Sequence, residues 1–359
     1  MTNTTTNLQI PVQKTTRSRL PEVDVHTLKF GNIISDHMLV ADYANGSWQS
    51  PAIVPYAALS MPPAMLALHY GQSVFEGMKA FRMKDGSISV FRLQKHYERL
   101  CKSMERFCMP HLPFELFSEG LQQLVALDAD WVPDVEGSSL YIRPFVFASE
   151  ERFGVGPSEE YKFIIFTGPV GPYYPRPLRV KVEDHFTRAA KGGVGYAKCA
   201  GNYGGALYPT RQAQQAGFDQ VLWTDGSPQL NIEESGTMNV FFVLGNTLVT
   251  PPLSDTILDG VTRDSLITIA RDLGRTVEER TISAAELIEA HRQGLLQEAF
   301  GAGTAAVTAP IQTIHIQGQD YELPPYSEQS FCQILKKELT AIRTEAEKDV
   351  YFWNTIIRR

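Results

Sequence analysis

Residues 168–177 read GPVGPYYPRP, and this stretch decides how the chain is divided. Four prolines and two glycines in ten residues disfavour a regular interior element, because proline lacks an amide donor and glycine is conformationally permissive. A chain of 359 residues also exceeds what one hydrophobic core usually organises. We therefore predict an N-terminal domain over residues 21–168, a linker over 169–177 and a C-terminal domain over 178–359, preceded by a disordered, threonine-rich tail over 1–20.

Helix and strand signals are mixed on both sides of this boundary. Before it, apolar residues at helical spacing predict helices from about His96 onward and over 116–127, and an aromatic, β-branched run predicts a strand over 139–147. After it, the predicted elements are strands over 178–182 and 220–224, a hairpin over 239–250 with Gly245-Asn246 at its turn, helices over 261–273 and 331–342, and a helix opened by the capping-box pair Ser283 and Glu286. This order, with no strict βαβ alternation, predicts a mixed α and β fold.

The composition is that of an ordinary globular protein, with 43% hydrophobic and 20% charged residues. A formal net charge of −7 argues against a nucleic-acid or anionic-membrane partner, since both require basic surfaces. No apolar run approaches the ~20 residues that span a bilayer. The four cysteines lie far apart (Cys101, Cys108, Cys199 and Cys332), which favours reduced thiols in a cytoplasm and no metal site. The N-terminus lacks a secretory layout, and a transit-like leader stays open.

One lysine lies among the six glycines of residues 192–205, GGVGYAKCAGNYGG. The missing side chains allow the backbone or a ligand to approach Lys198 closely. A lysine that forms a Schiff base must supply a neutral amine, so its pKa must fall from about 10.4 toward neutrality. The alternative is a solvated lysine in a flexible loop, which the glycines alone do not exclude.

Two further glycine-bearing segments are candidate anion sites. Gly260 precedes a predicted helix, so the first-turn amides of Val261 and Thr262 could hold a phosphate, unless the glycine is a simple cap. Residues 301–306, GAGTAA, fit the form of a dinucleotide-binding fingerprint, which requires a following helix. β-Branched residues and a proline follow instead. We therefore reject that interpretation and predict a glycine turn that offers the Thr304 hydroxyl and amides to an oxyanion.

Polar side chains in otherwise apolar segments mark two more candidate positions. Tyr141 and Arg143 are two apart in a predicted strand and therefore share a face. The alternative is an arginine at a sheet edge whose head group reaches solvent. Residues 233–237, EESGT, precede the predicted hairpin, and a carboxylate there could keep a pyridine nitrogen protonated. The alternative there is a solvated acidic turn.

Taken together, these segments resemble the branched-chain amino-acid aminotransferases, which are fold-type IV enzymes that use pyridoxal 5'-phosphate (PLP). The resemblance covers nearly the whole chain after about Phe30. It is carried by HYGQSVFEGMKAF (69–81), LYIRP (140–144), NYG (202–204), ESGTMN (234–239), GVTR (260–263) and GTA (303–305). It implies a two-domain fold of the D-amino-acid aminotransferase type, with a smaller α/β N-terminal domain and a larger C-terminal PLP-binding domain rich in β-strands.

The resemblance also implies a role for particular residues. Lys198 would carry the cofactor as a Schiff base, Glu234 would pair with its pyridinium nitrogen, and Tyr203 would hydrogen-bond its phenolic oxygen. The phosphate would be held by Arg99, by the amides of Val261 and Thr262, and by Thr304. The substrate carboxylate would meet the amides of Thr237 and Ala305. The side-chain pocket would be lined by Phe30, Tyr70, Phe75, Tyr141, Arg143 and Tyr173, with Val155 entering from a partner subunit.

The implied activity is a two-stage ping-pong transamination by a homodimer, which moves the amino group of L-leucine, L-isoleucine or L-valine to 2-oxoglutarate. Aromatic walls suit the aliphatic side chain, and Arg143 suits the second carboxylate of glutamate. The alternatives are a D-amino-acid aminotransferase or aminodeoxychorismate lyase on the same fold, a NAD-dependent dehydrogenase, and a non-catalytic PLP-binding protein. Ala306 and Ala309 stand where mammalian members carry a redox Cys-x-x-Cys, so no such thiol switch is predicted.

Overall fold

The structure, a computed structural model, describes residues 8–358. Its contacts divide the chain into two compact units. The first consists of the residues through Pro172, of Lys198–Ala200, and of the residues from Arg343 onward. The second consists of Tyr173–Ala197 and Gly201–Ile342. The candidate Schiff-base lysine therefore belongs to the first unit, although the segments before and after it belong to the second.

Strands and helices are interspersed along the whole described chain. The strands are β1 (His37–Ala44), β2 (Ser47–Trp48), β3 (Ala52–Pro55), β4 (Ser73–Phe75), β5 (Met78–Arg82), β6 (Ile88–Phe91), β7 (Ser139–Ala148), β8 (Tyr161–Val170), β9 (Leu178–Val182), β10 (Gln220–Thr224), β11 (Ile232–Ser235), β12 (Met238–Leu244), β13 (Thr247–Thr250), β14 (Thr276–Glu279), β15 (Leu296–Gly303), β16 (Val307–Ile316), β17 (Gln319–Glu322) and β18 (Asn354–Ile357). The helices are α1 (Leu66–Tyr70), α2 (Leu93–Arg106), α3 (Phe114–Leu127), α4 (Ala200–Gln215), α5 (Val261–Asp272), α6 (Ala284–Arg292) and α7 (Phe331–Thr344).

The first unit is built on a sheet in the order β18-β6-β5-β7-β8-β1-β2, with β3 paired to β1 and β4 paired to β7. Its neighbouring strands run antiparallel, and β7 and β8 form a long ladder at its centre. Leu140, Ile142 and Val146 of β7 are fully buried on one face. Because side chains alternate along a strand, Tyr141 and Arg143 lie together on the other face, as predicted.

The second unit is built on a mixed sheet in the order β11-β10-β9-β16-β15-β12-β13-β14, with β17 paired to β16. Because β11 also pairs with β12, the path through β9, β10, β11, β12, β15 and β16 closes on itself. β9 runs parallel to both of its neighbours, β10 and β16. Apolar side chains of this ring, among them Val180, Val240 and Ile314, form a core that Leu287 of α6 completes.

The predicted mixed α and β fold is confirmed, and the structure also contains the predicted hairpin turn and the predicted cap at Ser283. β12 and β13 form a hairpin in which Leu244 pairs with Thr247, so the turn contains the two predicted residues. The Ser283 hydroxyl accepts a hydrogen bond from the Glu286 amide at the start of α6 (3.1 Å), which confirms Ser283 as the cap. The Glu286 carboxylate pairs with Arg280 (2.7 Å) and does not complete the predicted capping box. Local turn and capping chemistry therefore agrees with the tertiary structure.

The N-terminal segment differs from the predicted tail. Residues 1–7 lie outside the described residues. Residues 8–20 pack on the first sheet, because Ile10 is buried and the Gln13 amide donates a hydrogen bond to the Ile53 carbonyl (2.8 Å). The expectation of disorder is therefore wrong for this part, where one buried apolar side chain and backbone pairing offset the polar composition.

The predicted domain limits differ from the structure at two more places. β8 continues through Pro169 to Val170, so the first two residues of the predicted linker belong to a strand. Proline is tolerated there because it lies at the end of the strand. β18 pairs antiparallel with β6, so the C-terminal residues belong to the first sheet and not to the second unit. A strand that covers a sheet edge satisfies its open hydrogen-bonding groups.

Within residues 8–358, no group of three His, Cys, Asp or Glu side chains could hold a metal ion. No helix in that range is long and apolar enough to cross a membrane. All four cysteines are free thiols, and Cys199 and Cys332 are buried.

Candidate active site

Lys198 is anchored at its backbone by two elements of the first unit. Its amide donates a hydrogen bond to the Ser103 hydroxyl on α2 (2.9 Å). Its carbonyl accepts one from the Phe75 amide at the end of β4 (2.9 Å). Cys199 adds an isolated bridge to Val74. A helix and a strand therefore fix this lysine, and the alternative of a flexible glycine loop is wrong.

The ε-amine of Lys198 lies 4.4 Å from the centre of the Phe75 ring. Burial, assisted by the charge of Arg99, lowers the pKa of Lys198 to about 8, although the Glu76 carboxylate acts in the opposite direction. An amine with this pKa has an appreciable neutral fraction near pH 7.5, and the neutral form is the nucleophile. The geometry and the charge of the first unit therefore suit a Schiff-base lysine.

Arg99, the candidate phosphate ligand, is held by a buried carboxylate. Its Nε and Nη2 atoms donate to the two oxygens of Glu76 at 2.7 and 2.9 Å, and His96 Nδ1 lies 2.7 Å from Glu76 Oε2. Burial alone would raise the pKa of Glu76, but the charge and hydrogen bonds of Arg99 hold that pKa well below its usual range. The sequence analysis assigned no role to Glu76 or His96. The signal it had was a carboxylate inside the otherwise apolar run SVFEGM.

The predicted pair Tyr141 and Arg143 forms a connected cluster with two phenylalanines. Arg143 Nη2 donates to the Tyr141 hydroxyl (3.1 Å), and its guanidinium lies 4.7 Å from the centre of the Phe75 ring. The Phe30 ring meets Tyr141 edge-on at 5.0 Å. Arg143 Nε is buried and makes no hydrogen bond to the described residues. β7 pairs on both sides, so the alternative of a sheet-edge arginine is wrong.

Gly77 makes room for this cluster. A Cβ added at Gly77 would lie 2.0 Å from the Tyr141 hydroxyl oxygen, which is closer than any non-bonded contact allows. The glycine of the FEG sequence is therefore required by the position of the Tyr141 ring.

Two other predicted pocket residues lie at the surface of the first unit. Tyr70 closes the short helix α1 and is 45% exposed, and its hydroxyl accepts a hydrogen bond from the Gly154 amide (3.3 Å). Val155 follows directly and is 87% exposed. The loop that carries Val155 is thus linked to Tyr70 within one chain.

Glu234 is the central charged residue of the second unit. Its Oε1 atom accepts two hydrogen bonds, from the Leu258 amide (2.9 Å) and from Asn239 Nδ2 (3.3 Å). Its other oxygen forms an ion pair with Arg188 Nε (2.7 Å). Glu234 is only 3% exposed, so the alternative of a solvated acidic turn is wrong. Sequence analysis missed Arg188, because no local pattern connects it with a residue so far along the chain.

The N-terminus of α5 lies in the same unit and is tightly enclosed. Gly260 is its N-cap, and a Cβ there would lie 1.9 Å from Asn239 Oδ1. Val261 and Thr262, the first two helical residues, are buried. Amides of a first helical turn have no partner within the helix and favour an anion. The helix is twelve residues long, which is enough for an appreciable dipole.

The GAGTAA segment forms the turn of a β-hairpin. β15 ends at Gly303 and pairs there with Val307, the first residue of β16. Thr304 and Ala305 lie in the turn between them. No helix follows, which confirms that the segment is not a dinucleotide-binding fingerprint. Val307 adopts a left-handed φ of 64°, a conformation that is costly for a β-branched residue and is often found at functional sites.

Helix α4 starts two residues after Lys198 and contains Tyr203. Three glycines of the lysine segment therefore lie in a helix that the sequence analysis did not predict. The Asn202 side chain fixes its beginning, with Nδ2 donating to the carbonyls of Val194 (2.9 Å) and Ala197 (3.0 Å). These bonds tie the first turn of α4 to the preceding loop, and tertiary contacts of this kind can override poor intrinsic helix propensity.

The structure distributes the predicted site residues over the two units. The first unit contains Phe30, Tyr70, Phe75, Arg99, Tyr141, Arg143, Val155 and Lys198. The second contains Tyr173, Tyr203, Glu234, Thr237, Val261, Thr262, Thr304 and Ala305. The first set offers an amine and one arginine next to aromatic rings, and a second arginine paired with Glu76. The second offers a fixed carboxylate and a helix N-terminus.

Comparisons with known proteins give a consistent result. Residues 73–314 match the family model for amino-transferase class IV. The chain is 44% identical over 344 residues to branched-chain-amino-acid aminotransferase 2 of Bacillus subtilis (strain 168), with 95% of each chain covered. A crystal structure of the branched-chain aminotransferase from Thermoproteus uzoniensis with norvaline matches with a TM-score of 0.74 and 26% identity, covering 90% of this chain and 100% of that chain. A T.th. branched-chain amino acid aminotransferase complexed with N-(5'-phosphopyridoxyl)-L-glutamate matches with a TM-score of 0.70 and 26% identity, covering 89% and 98%.

The chain therefore belongs to the class IV aminotransferases and, within them, to the branched-chain-amino-acid aminotransferases. The predicted family, the fold-type IV architecture and the transaminase activity are confirmed. The same relatives favour this activity over a D-amino-acid aminotransferase or an aminodeoxychorismate lyase. The NAD-dependent dehydrogenase is also excluded, because the segment that fits the dinucleotide fingerprint forms a hairpin turn.

Proposed function

We propose that this aminotransferase exchanges amino groups between L-leucine, L-isoleucine or L-valine and 2-oxoglutarate, with pyridoxal 5'-phosphate bound at Lys198. The observation that carries the proposal is an anchored lysine whose pKa falls to about 8 close to a fixed arginine. The relatives named for branched-chain amino acids support the substrates. The T.th. enzyme complexed with a phosphopyridoxyl derivative of glutamate supports both the cofactor and the second substrate.

The charged residues of both units suit this cofactor. Lys198 would supply the amine, and Arg99 would supply a buried cation for the phosphate. Glu234, buried and ion-paired with Arg188, supplies the carboxylate for the pyridine nitrogen. A carboxylate already paired with an arginine stays ionised, which is the state that keeps a pyridine nitrogen protonated.

The neutral donors of the second unit suit the remaining oxygens of the cofactor. The amides of Val261 and Thr262 at the start of α5 would hold the phosphate together with Thr304. Tyr203 would donate a hydrogen bond to the phenolic oxygen. The buried first turn of α5 supports this assignment, since its amides have no partner within the helix.

The reaction depends on one proton carrier in this chain. Bound PLP supplies an aldehyde for the amino group and a protonated ring that withdraws electrons from the reacting carbon. Lys198 Nζ removes the α-proton of the amino acid, because its lowered pKa makes the neutral form available. The Phe75 ring covers one side of Nζ and limits its access to water. Arg188 pairs with Glu234 (2.7 Å) and would hold its carboxylate in place for the ring nitrogen.

The substrate pocket must accept two kinds of side chain. Phe30, Phe75 and Tyr141 contact the branched aliphatic side chain. Arg143 binds the second carboxylate of glutamate, since its buried Nε is available to an acceptor and its Nη2 already orients Tyr141. In this proposal Tyr70 and Tyr173 would also contact the substrate side chain, and the amides of Thr237 and Ala305 would receive the α-carboxylate.

The assembly we propose is a homodimer in which Val155 reaches the pocket of the partner subunit. The loop that contains Val155 carries two highly exposed apolar side chains, Phe153 (90%) and Val155 (87%), and such residues are typical of contact surfaces. A cytoplasmic location remains a prediction from the separated, free cysteines.

The proposal is tested with purified protein and PLP. Lys198→Ala should abolish transamination from L-isoleucine to 2-oxoglutarate, and borohydride should no longer fix the cofactor to the protein. Lys191→Ala, which changes the exposed lysine directly before the glycine-rich segment, is the matched control and should keep both properties. An unchanged rate in Lys198→Ala would refute the assignment. A higher rate with D-alanine than with L-leucine would instead indicate a D-amino-acid aminotransferase.

A further inference from the structure

Glu76 carries a buried carboxylate that faces donors on all sides. Arg99 donates to it through Nε (2.7 Å) and Nη2 (2.9 Å), and His96 donates through Nδ1 (2.7 Å). The Gly77 amide adds a fourth hydrogen bond at 3.1 Å. The three side chains are exposed by 0% (Glu76), 2% (His96) and 6% (Arg99). Water therefore does not compete with these contacts.

The carboxylate and the arginine are fixed to different elements. Glu76 follows β4 directly, and its amide donates to the Pro144 carbonyl in β7 (2.7 Å). His96 and Arg99 are three residues apart on α2 and therefore share a helix face. The Arg99 carbonyl also accepts a hydrogen bond from the Ser103 hydroxyl (2.9 Å), the same hydroxyl that holds the Lys198 amide. The strand, the helix and the lysine are thus joined through one network.

This network contributes less to the stability of the fold than to the orientation of the Arg99 side chain. A buried ion pair gains little net stability, because desolvation of both charges offsets their attraction. It does hold a guanidinium in a single orientation, since two parallel N–H···O bonds fix its plane. His96 supports the same orientation from the other side of the carboxylate. An arginine fixed in this way loses little further side-chain freedom when it binds an anion.

We infer that Glu76 is a positioning residue that, supported by His96, holds the Arg99 guanidinium in the orientation that receives the cofactor phosphate. The inference rests on the proposed role of Arg99 as a phosphate ligand. Glu76 itself contacts neither cofactor nor substrate in this role. Its effect should therefore be specific to ligands that carry the phosphate.

The test compares binding of PLP with binding of pyridoxal, which lacks the phosphate, to protein freed of cofactor. In Glu76→Gln one carboxylate oxygen becomes an amide that opposes the donors of Arg99 or His96, so the guanidinium must turn away. We expect the dissociation constant for PLP to rise by about tenfold or more, the size of one lost charge-assisted hydrogen bond. The constant for pyridoxal should change by less than about threefold, within the error of an indirect effect.

Asp128→Asn is the matched control, because Asp128 is also a buried carboxylate of the first unit that pairs with a histidine (His37, 2.6 Å). It should leave the ratio of the two dissociation constants unchanged. Should Glu76→Gln fail to fold, Glu76→Asp keeps the charge and shortens the reach, and it should give a smaller loss of PLP preference. An unchanged ratio in the folded Glu76 variant, or tighter PLP binding, would overturn the inference.

Arg99→Met separates this inference from the proposed function. If Arg99→Met reduces the PLP preference and Glu76→Gln adds nothing on that background, Glu76 acts through Arg99 as inferred. If Arg99→Met reduces the preference and Glu76→Gln alone does not, the inference fails while the proposed function stands. If Arg99→Met leaves the preference unchanged, the phosphate assignment itself fails, and the inference fails with it.

Discussion

The amide of Phe75 donates a 2.9 Å hydrogen bond to the carbonyl of Lys198, and the ring of the same phenylalanine lies 4.4 Å from the lysine Nζ. One residue therefore fixes both the backbone of the lysine and the surroundings of its amine. A cation near a ring face is stabilised, whereas exclusion of water disfavours the charge. In Lys198 the second effect is larger, because burial is the main cause of the lowered pKa.

The stability of the cofactor-free protein should depend on pH through Lys198. Its pKa is about 8 in the folded state and about 10.5 when solvated, so the unfolded state binds more protons between these values. Stability therefore rises with pH in this interval. Below pH 8 the folded protein carries the full cost of a buried charge, and Lys198→Met removes that cost. The stability advantage of Lys198→Met, measured by urea unfolding, should shrink from pH 8 to pH 10.5. Lys102→Met, an exposed lysine on α2, is the control, and a Lys198→Met advantage independent of pH would contradict the prediction.

Gly77→Ala should displace Tyr141, because the new Cβ would lie 2.0 Å from its hydroxyl oxygen. Overpacking of this kind destabilises a protein by about 1–3 kcal/mol, and loss of the Tyr141 position should also raise the KM for leucine. Gly205→Ala is the control, since Gly205 is exposed in α4 with no atom within 4 Å of an added Cβ. That change should stabilise the protein by about 0.5–1 kcal/mol. Equal unfolding midpoints for the two variants would show that Tyr141 has room to move.

Arg143→Met should separate the two substrates. The guanidinium is the cation of the Tyr141 cluster, so its loss should weaken the binding of 2-oxoglutarate much more than the binding of the keto acid of leucine. A lost charge-assisted hydrogen bond of about 1.5–3 kcal/mol corresponds to a rise in KM of roughly 10- to 100-fold. Steady-state kinetics with both keto acids measure the effect. A similar rise for both would mean that Arg143 shapes the pocket without binding the second carboxylate.

Arg188→Gln should destabilise the second unit. The Arg188–Glu234 ion pair is buried, with side chains exposed by 9% and 4%, and removal of one partner leaves the other charge without its counterion. The expected loss of unfolding free energy is roughly 3 kcal/mol. Arg179→Gln breaks an exposed ion pair with Asp320 in the same unit and should cost at most about 1 kcal/mol. Similar losses of unfolding free energy in the two variants would show that burial of the Arg188–Glu234 pair does not decide its contribution.

Sequence alone predicted the features that depend on short-range pattern. The shared face of Tyr141 and Arg143 follows from the alternation of side chains along β7, and the structure confirms it. The rejection of a dinucleotide site followed from the absence of a helix after residue 306, and the hairpin of β15 and β16 confirms it. Turn and capping signals, as at Ser283, also held because they act within a few residues.

Sequence did not predict the partners that meet only through the fold. Glu76 reaches Arg99 across the space between a strand and a helix, and Arg188 reaches Glu234 across a long stretch of chain. No local periodicity encodes such pairs. The left-handed backbone of Val307 was equally hidden, since a β-branched residue disfavours that conformation and tertiary contacts must impose it.

The pairing of β18 with β6 also affects the order in which the protein can fold during translation. The strands of the second sheet lie between residues 178 and 322, so all of them have been translated before helix α7 and before β18. The edge of β6 stays unpaired until residues 354–357 emerge from the exit tunnel. The sheet that is translated first is therefore completed last, and an exposed edge of this kind is where a nascent chain is most open to chaperones and to mispairing.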